Sequence, residues 1–151
     1  MKRAGFTMIE LIFVIVILGI LAAVAIPKLA ATRDDAKIAK GASAVSTAVT
    51  DLGAYYTARG SFGKLGDMTN VKFSTSNTSY SDASNTDMNT TSKIYFLDST
   101  NTGCLSFSVS TSDGNLTVAS ESNATAECKG INTATKDLAQ VHQFGGSSVK
   151  W

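Results

Sequence analysis

The sequence predicts an α+β fold: a long N-terminal α-helix, membrane-spanning in its first half, packed on a small antiparallel β-sheet head. Three observations carry this. From Leu11 to Ile26 every residue is apolar or Gly, with no charge and no side-chain hydrogen-bonding group. Ile38, Val45, Val49, Leu52 and Tyr56 then step along one helical face. Beyond residue 61, short stretches alternate apolar with polar residues among runs of Ser, Thr, Asn and Asp.

The first element opens with a short basic leader, Met1-Lys2-Arg3-Ala4-Gly5, followed by Phe6-Thr7-Met8-Ile9-Glu10 and the apolar run. Phe6 to Ile26 covers 21 residues, which at about 1.5 Å per residue gives roughly 30 Å, the hydrocarbon thickness of a bilayer. Lys2 and Arg3 belong on the cytoplasmic side by the positive-inside bias, so the bulk of the chain lies across the membrane. A removable secretory signal also begins basic and turns apolar, but its small-residue cleavage site would follow the run, and Ile26-Pro27-Lys28-Leu29 is a poor one. Glu10 speaks against it too. A carboxylate within the apolar stretch either stays wet at the interface or calls for a partner, since a charge at the bilayer centre costs about 2.5–3.5 kcal/mol on insertion scales.

From residue 28 to about 58 the helix continues with a narrower stripe, Ala42 filling the gap between Ile38 and Val45. Arg33, Asp34, Asp35, Lys37, Lys40 and Asp51 form its polar face. Arg59-Gly60-Ser61-Phe62-Gly63 ends it. Two breakers lie within: Gly19, which costs about 1 kcal/mol against Ala, and Pro27, which removes a backbone donor and crowds the carbonyl of Ala23. In the head, residues 93–97 form one strand. Leu105, Phe107 and Val109 alternate with Ser106, Ser108 and Ser110 in a second, and residues 115–119 form a third after the turn Ser112-Asp113-Gly114. Residues 74–92 are a polar loop with no helix or strand period.

The charge is balanced, 13 Lys and Arg against 12 Asp and Glu, which argues against a nucleic-acid partner. Cys104 and Cys128 lack the close spacing of a zinc site, and the single His142, an ordinary surface or packing residue, cannot complete one. If the polar half is exported, a disulfide between them is the natural reading; two buried free thiols are the alternative. The bridge would contribute roughly 3 to 4 kcal/mol in the chain-entropy model. No zinc-protease motif, dinucleotide fingerprint, nucleophile elbow or phosphate loop occurs, and the acids Asp82, Asp87, Asp98 and Asp113 are scattered. No cofactor, metal or catalytic residue is expected.

Gly5-Phe6-Thr7-Met8-Ile9-Glu10-Leu11, the apolar residues behind it and Ala25-Ile26-Pro27 resemble the processing signature of type IV prepilins and prepseudopilins. The resemblance covers residues 1 to about 40. It implies that a membrane-embedded prepilin peptidase cuts after Gly5 and methylates the new terminus at Phe6, so the apolar helix stays in the product. It gives Glu10 a partner, the charged Phe6 amine of a neighbouring subunit, and with it a role in axial register. It places the segment between Gly19 and Pro27 where the helix loses its winding on assembly. The implied organisation is a leader (1–5), an assembly helix (6–27), an amphipathic half (28–60) and a β-rich head (61–151) with the pilin fold. The implied function is that of a structural subunit of a type IV pilus-like filament, first in the inner membrane, then in a periplasmic or extracellular homopolymer built with an assembly machinery. A type II secretion pseudopilin is the alternative, although such proteins often carry a Pro-rich segment and Pro27 is the only proline here. A periplasmic binding module tethered by its first helix is a rival from another class. It would need neither Phe6 nor Glu10. Calcium binds some pseudopilin heads, but no Asp-rich spacing here names ligands. Asn-x-Ser/Thr triplets occur at Asn77, Asn89, Asn115 and Asn123. The last three follow an acid two residues earlier and resemble bacterial N-glycosylation acceptors, or are chance in so polar a segment.

Overall fold

The computed structural model describes residues 5–90, 93–110, 113–122 and 125–145. The chain divides into two compact units at Ala36/Lys37. The first is the beginning of helix α1 (Met8–Arg59), with Gly19 and Pro27 both inside the helix. Pro27 has no N–H, so the carbonyl of Ala23 lacks its usual donor there. At the other end Gly60 stops the helix. Its φ is +72°, a conformation that Gly adopts without a Cβ penalty, and its N–H donates to Tyr56 O at 2.7 Å.

In the second unit, the last turns of α1 are followed by α2 (Leu65–Met68), β1 (Ile94–Leu97), β2 (Gly103–Ser110), β3 (Asn115–Ser120), α3 (Ala126–Ala134) and β4 (Val141–Gln143). The strands form one antiparallel sheet in the order β1-β2-β3-β4. Thus the three strands expected from the sequence are present with small changes at their ends. In β2, Phe107 lies opposite Ile94 on one side and Val118 on the other. These residues, with Leu105, Val109 and Leu116, join Val45, Ala48, Val49 and Leu52 of α1 in one buried core. A fully buried Leu or Phe contributes about 1.5–3 kcal/mol, so this contact dominates the head. Ser106 is also buried, although alternation puts it outside; its hydroxyl donates to Glu121, which also holds Lys93 at 2.8 Å.

Three further features depart from the sequence reading. The stripe of α1 closes through Gly41 and Ala48, while Ala42 is only half-buried. A Cβ on Gly41 would stand 2.6 Å from Ile131 Cδ1, so the lack of a side chain is what lets α3 approach. The polar loop is organised around Ser74, which is fully buried. Its backbone exchanges two hydrogen bonds with Tyr95 at 2.8 and 2.9 Å, covering the free edge of β1, and its hydroxyl donates to Ser79 O and accepts from Ser76 N and Ser81 N. Finally, α3 and β4 carry no sequence period. In α3 only Cys128 and Ile131 are buried, and β4 is three residues long.

Replacing Gly41 by Leu overfills the contact with Ile131 and Phe96. We expect a loss of about 1–3 kcal/mol in head stability, despite the better helix propensity of Leu, read as a lowered denaturant midpoint of the detergent-solubilised protein. An unchanged midpoint would mean that α3 does not pack there.

Candidate functional site

Gly5, Phe6 and Thr7 precede α1, outside any regular element and exposed. The helix starts on a capping box. The Thr7 hydroxyl accepts from Glu10 N at 3.4 Å, while a Glu10 carboxylate oxygen accepts from Thr7 N at 2.8 Å and from Thr7 Oγ1 at 2.7 Å. Two of the four donors that every helix start leaves orphaned are thereby engaged. The sequence reading passed over this role, although Thr7-Met8-Ile9-Glu10 is the Ser/Thr-x-x-Glu pattern that announces it.

Around and beyond Glu10 the surface is apolar and bare. Phe6 is 86% exposed, and even Ile17, the most covered of the large apolar residues before Leu29, is 41% exposed. This helix is long and apolar enough to cross a membrane, and none of its most apolar stretch is buried. An apolar surface this extensive on a helix belongs against lipid or another apolar surface. Gly19 has nothing within 4 Å of where a Cβ would stand.

The two cysteines come together in the second unit. Cys104 of β2 and Cys128 of α3 form a disulfide, 24 residues apart in sequence and fully buried. Pairing between β1 and β2 skips at this point: Phe96 faces Leu105 and Leu97 faces Gly103, which leaves Cys104 as the extra residue of a bulge. Beside the bridge lies Asp98, one of the acids scattered along the sequence and only 7% exposed. Its Oδ1 accepts from Thr100 N at 2.8 Å, Thr100 Oγ1 at 2.7 Å and Thr102 N at 2.9 Å, and its Oδ2 accepts from Thr125 Oγ1 at 2.8 Å. Donor atoms of Asp98, Cys104 and Cys128 lie within 4.8 Å of one another. With both sulfurs bonded to each other no thiolate remains, and the thiolate is the metal-binding form of cysteine.

The glycosylation candidates are less open than their spacing suggests. Asn89 Nδ2 donates to Phe62 O at 2.5 Å, Asn115 is a half-buried residue of β3 paired with Gln143, and Asn123 lies outside the described residues. Asn77 sits against Gly103, donating no space for a side chain there: its Oδ1 occupies the place of a Cβ. His142 is a half-buried packing residue of β4, its Nε2 2.9 Å from Leu138 O and its ring stacked on Phe144.

Residues 1–26 match the family model described as the prokaryotic N-terminal methylation motif. The chain carries the type IV pilin and pseudopilin signature. Helix and sheet together form an α+β, pilin-like arrangement, although the family match itself stops at Ile26. No curated protein and no solved structure gives a significant match to the chain. The motif and the bare apolar helix fit the membrane-anchored precursor of a secreted, pilin-like subunit, a structural class of protein.

The hydrogen bonds around Asp98 tie part of the head's expected stability to pH. Burial pushes its carboxyl up, but hydrogen bonds from Thr102, Thr100 and Thr125 together hold it below the usual carboxylate range. A lowered folded value means that its stabilisation is fully present above the unfolded carboxyl's pKa of about 3.9 and is lost as pH falls through the folded value. Asp98→Asn should therefore flatten the fall in unfolding free energy below about pH 4. Denaturation curves at stepped pH would read this, and equal slopes for the two proteins would remove Asp98 from the acid response.

Proposed function

We propose that this chain is a structural subunit of a type IV pilus-like filament. In this reading, prepilin peptidase removes residues 1–5 in the inner membrane and methylates Phe6, and an assembly machinery then packs subunits through residues 6–27. The observation that carries it is Glu10, a carboxylate set directly behind Gly5-Phe6 in a helix whose other side chains up to Ile26 are apolar or uncharged. A membrane tether gains nothing from a carboxylate there. A filament does.

The capping box supports this. In the single subunit Thr7 supplies local hydrogen bonds to the Glu10 carboxylate, so the precursor carries a partly satisfied charge at the end of its span. Cleavage at Gly5 creates a new charge, the Phe6 amine, one residue before the cap. In an apolar core either charge alone is penalised, whereas amine and carboxylate from neighbouring subunits attract. A subunit one register out leaves both unpaired, so Glu10 selects register more than it adds net stability, as a single buried polar residue does in coiled coils. The bare apolar surface offers the lateral contact. A head-to-tail contact that does not close on itself generates an open helix of subunits.

A type II secretion pseudopilin is the second reading, because it shares the same N-terminal motif. The disulfide that fastens α3 to the sheet and the single proline favour the pilin.

Two expectations follow from the processing and register steps. Mass measurement of the mature protein should give a chain starting at Phe6 with one added methyl group, and a bulky residue in place of Gly5 should leave full-length precursor in the membrane. A mature chain starting beyond Ile26 would end the filament reading. Glu10→Leu should leave insertion intact, since Leu is cheaper in the membrane by up to about 3 kcal/mol. It should nevertheless yield few or no filaments alone and partial incorporation when mixed with wild type. Sheared-filament yield against total membrane-bound subunit measures this. Normal yield from the Leu variant alone would reduce Glu10 to a helix cap.

A further inference from the structure

We propose that Asp98 assembles the Cys104–Cys128 pair: its carboxylate ties together the two segments that carry the cysteines and so holds the thiols in bonding position before the disulfide closes. This goes beyond the filament reading and does not depend on it.

The geometry assigns the two carboxylate oxygens to two different segments. Oδ1 gathers Thr100 and Thr102 into a tight loop between β1 and β2, with Asn101 at φ +63° in the left-handed region that Asn tolerates. That loop leads straight into Gly103 and Cys104, at the bulge where Cys104 leaves the pairing with β1. Oδ2 accepts from the Thr125 hydroxyl, and the same hydroxyl accepts from Cys128 N at 3.1 Å as the N-cap of α3. One buried group therefore sets the position of both cysteine-bearing backbones. A second, more exposed tie runs alongside it: Ser99 N at 3.2 Å and Ser99 Oγ at 2.5 Å both donate to the Glu127 carboxylate.

Closure needs an oxidant, here a small-molecule disulfide. One protein thiolate attacks it, forming a mixed disulfide and releasing one thiolate of the oxidant. The second protein thiol gives its proton to solvent and attacks the mixed disulfide, releasing the other. Two protein thiols are oxidised and one disulfide is reduced to two thiols. Asp98 acts on the second, intramolecular step, whose rate follows the effective concentration of one sulfur about the other. It also exerts an opposing effect, because Asp98 Oδ2 is 3.8 Å from Cys128 Sγ and a carboxylate that close disfavours a thiolate. The sign of the mutant effect decides between assembly and obstruction.

The test uses the full chain in detergent, reduced and then placed in a buffer of oxidised and reduced glutathione at pH 7. Alkylation at timed intervals and mass analysis separate free, mixed-disulfide and closed forms. Asp98→Asn should slow closure of the mixed disulfide at least about tenfold by loss of effective concentration, with formation of the mixed disulfide unchanged or faster. Thr125→Val keeps the three loop bonds and removes the link to α3 together with the N-cap bond from Cys128 N. It should slow the same step, and it serves if the reduced Asp98→Asn chain does not fold. Closure as fast as wild type, or faster, in the folded variants overturns the proposal.

Discussion

The apolar stripe of α1 from Val45 to Leu52 must be kept from water, and the four-stranded sheet is what it is buried against. The head is arranged around that requirement. β2 sends Leu105, Phe107 and Val109 onto the stripe, and β1 and β3 flank them with Ile94, Phe96, Leu116 and Val118. Gly41 and Gly53 are the places where α1 itself yields. Ile131 of α3 and the ring of Phe144, just after β4, come to within 2.6 and 2.7 Å of where their Cβ atoms would stand. Small residues on the helix thus admit partners from the end of the chain, a demand of close packing rather than of helix propensity.

The end of the chain is held by other means besides apolar area. α3 buries only Cys128 and Ile131, too little to secure a nine-residue helix, and it is fixed also by the disulfide, the Asp98–Thr125 bond and the bonds from Ser99 to Glu127. The first two differ in kind. The bridge limits the unfolded chain and is indifferent to proton concentration, whereas the carboxylate works only while ionised. Burying Asp98 costs desolvation, which four hydrogen-bond donors offset.

Glu10 meets a comparable problem in an apolar setting, with a different solution. Its carboxylate is engaged by its own helix start, through Thr7 N and Oγ1, so the isolated subunit need not bury an unsatisfied charge. Hydrogen bonds to a carboxylate leave its charge uncompensated, however, and in the proposed filament that residual charge is what a neighbouring amine would recognise. Local capping and the proposed recognition by a partner are thus compatible uses of one side chain.

The chain's local patterns determined a good deal by themselves. The apolar run, the stripe and the alternating stretches read out as α1, β1, β2 and β3, because each has a period that survives without knowledge of its partner. The Gly5-Phe6…Glu10 signature was equally legible, since it lies within six residues and is recognised as a linear motif. Tertiary structure alone decided the rest. Asp98 looks like any surface acid until Thr102, Thr100 and Thr125 converge on it, and Ser74 like any loop serine until Tyr95 pairs with it. Gly41 in place of Ala42, and the existence of α3 and β4, likewise depend on partners up to about a hundred residues away. A local pattern carries information about the solvent a side chain prefers. It carries none about which distant group will satisfy a buried carboxylate, occupy the space above a glycine or bring one sulfur to another.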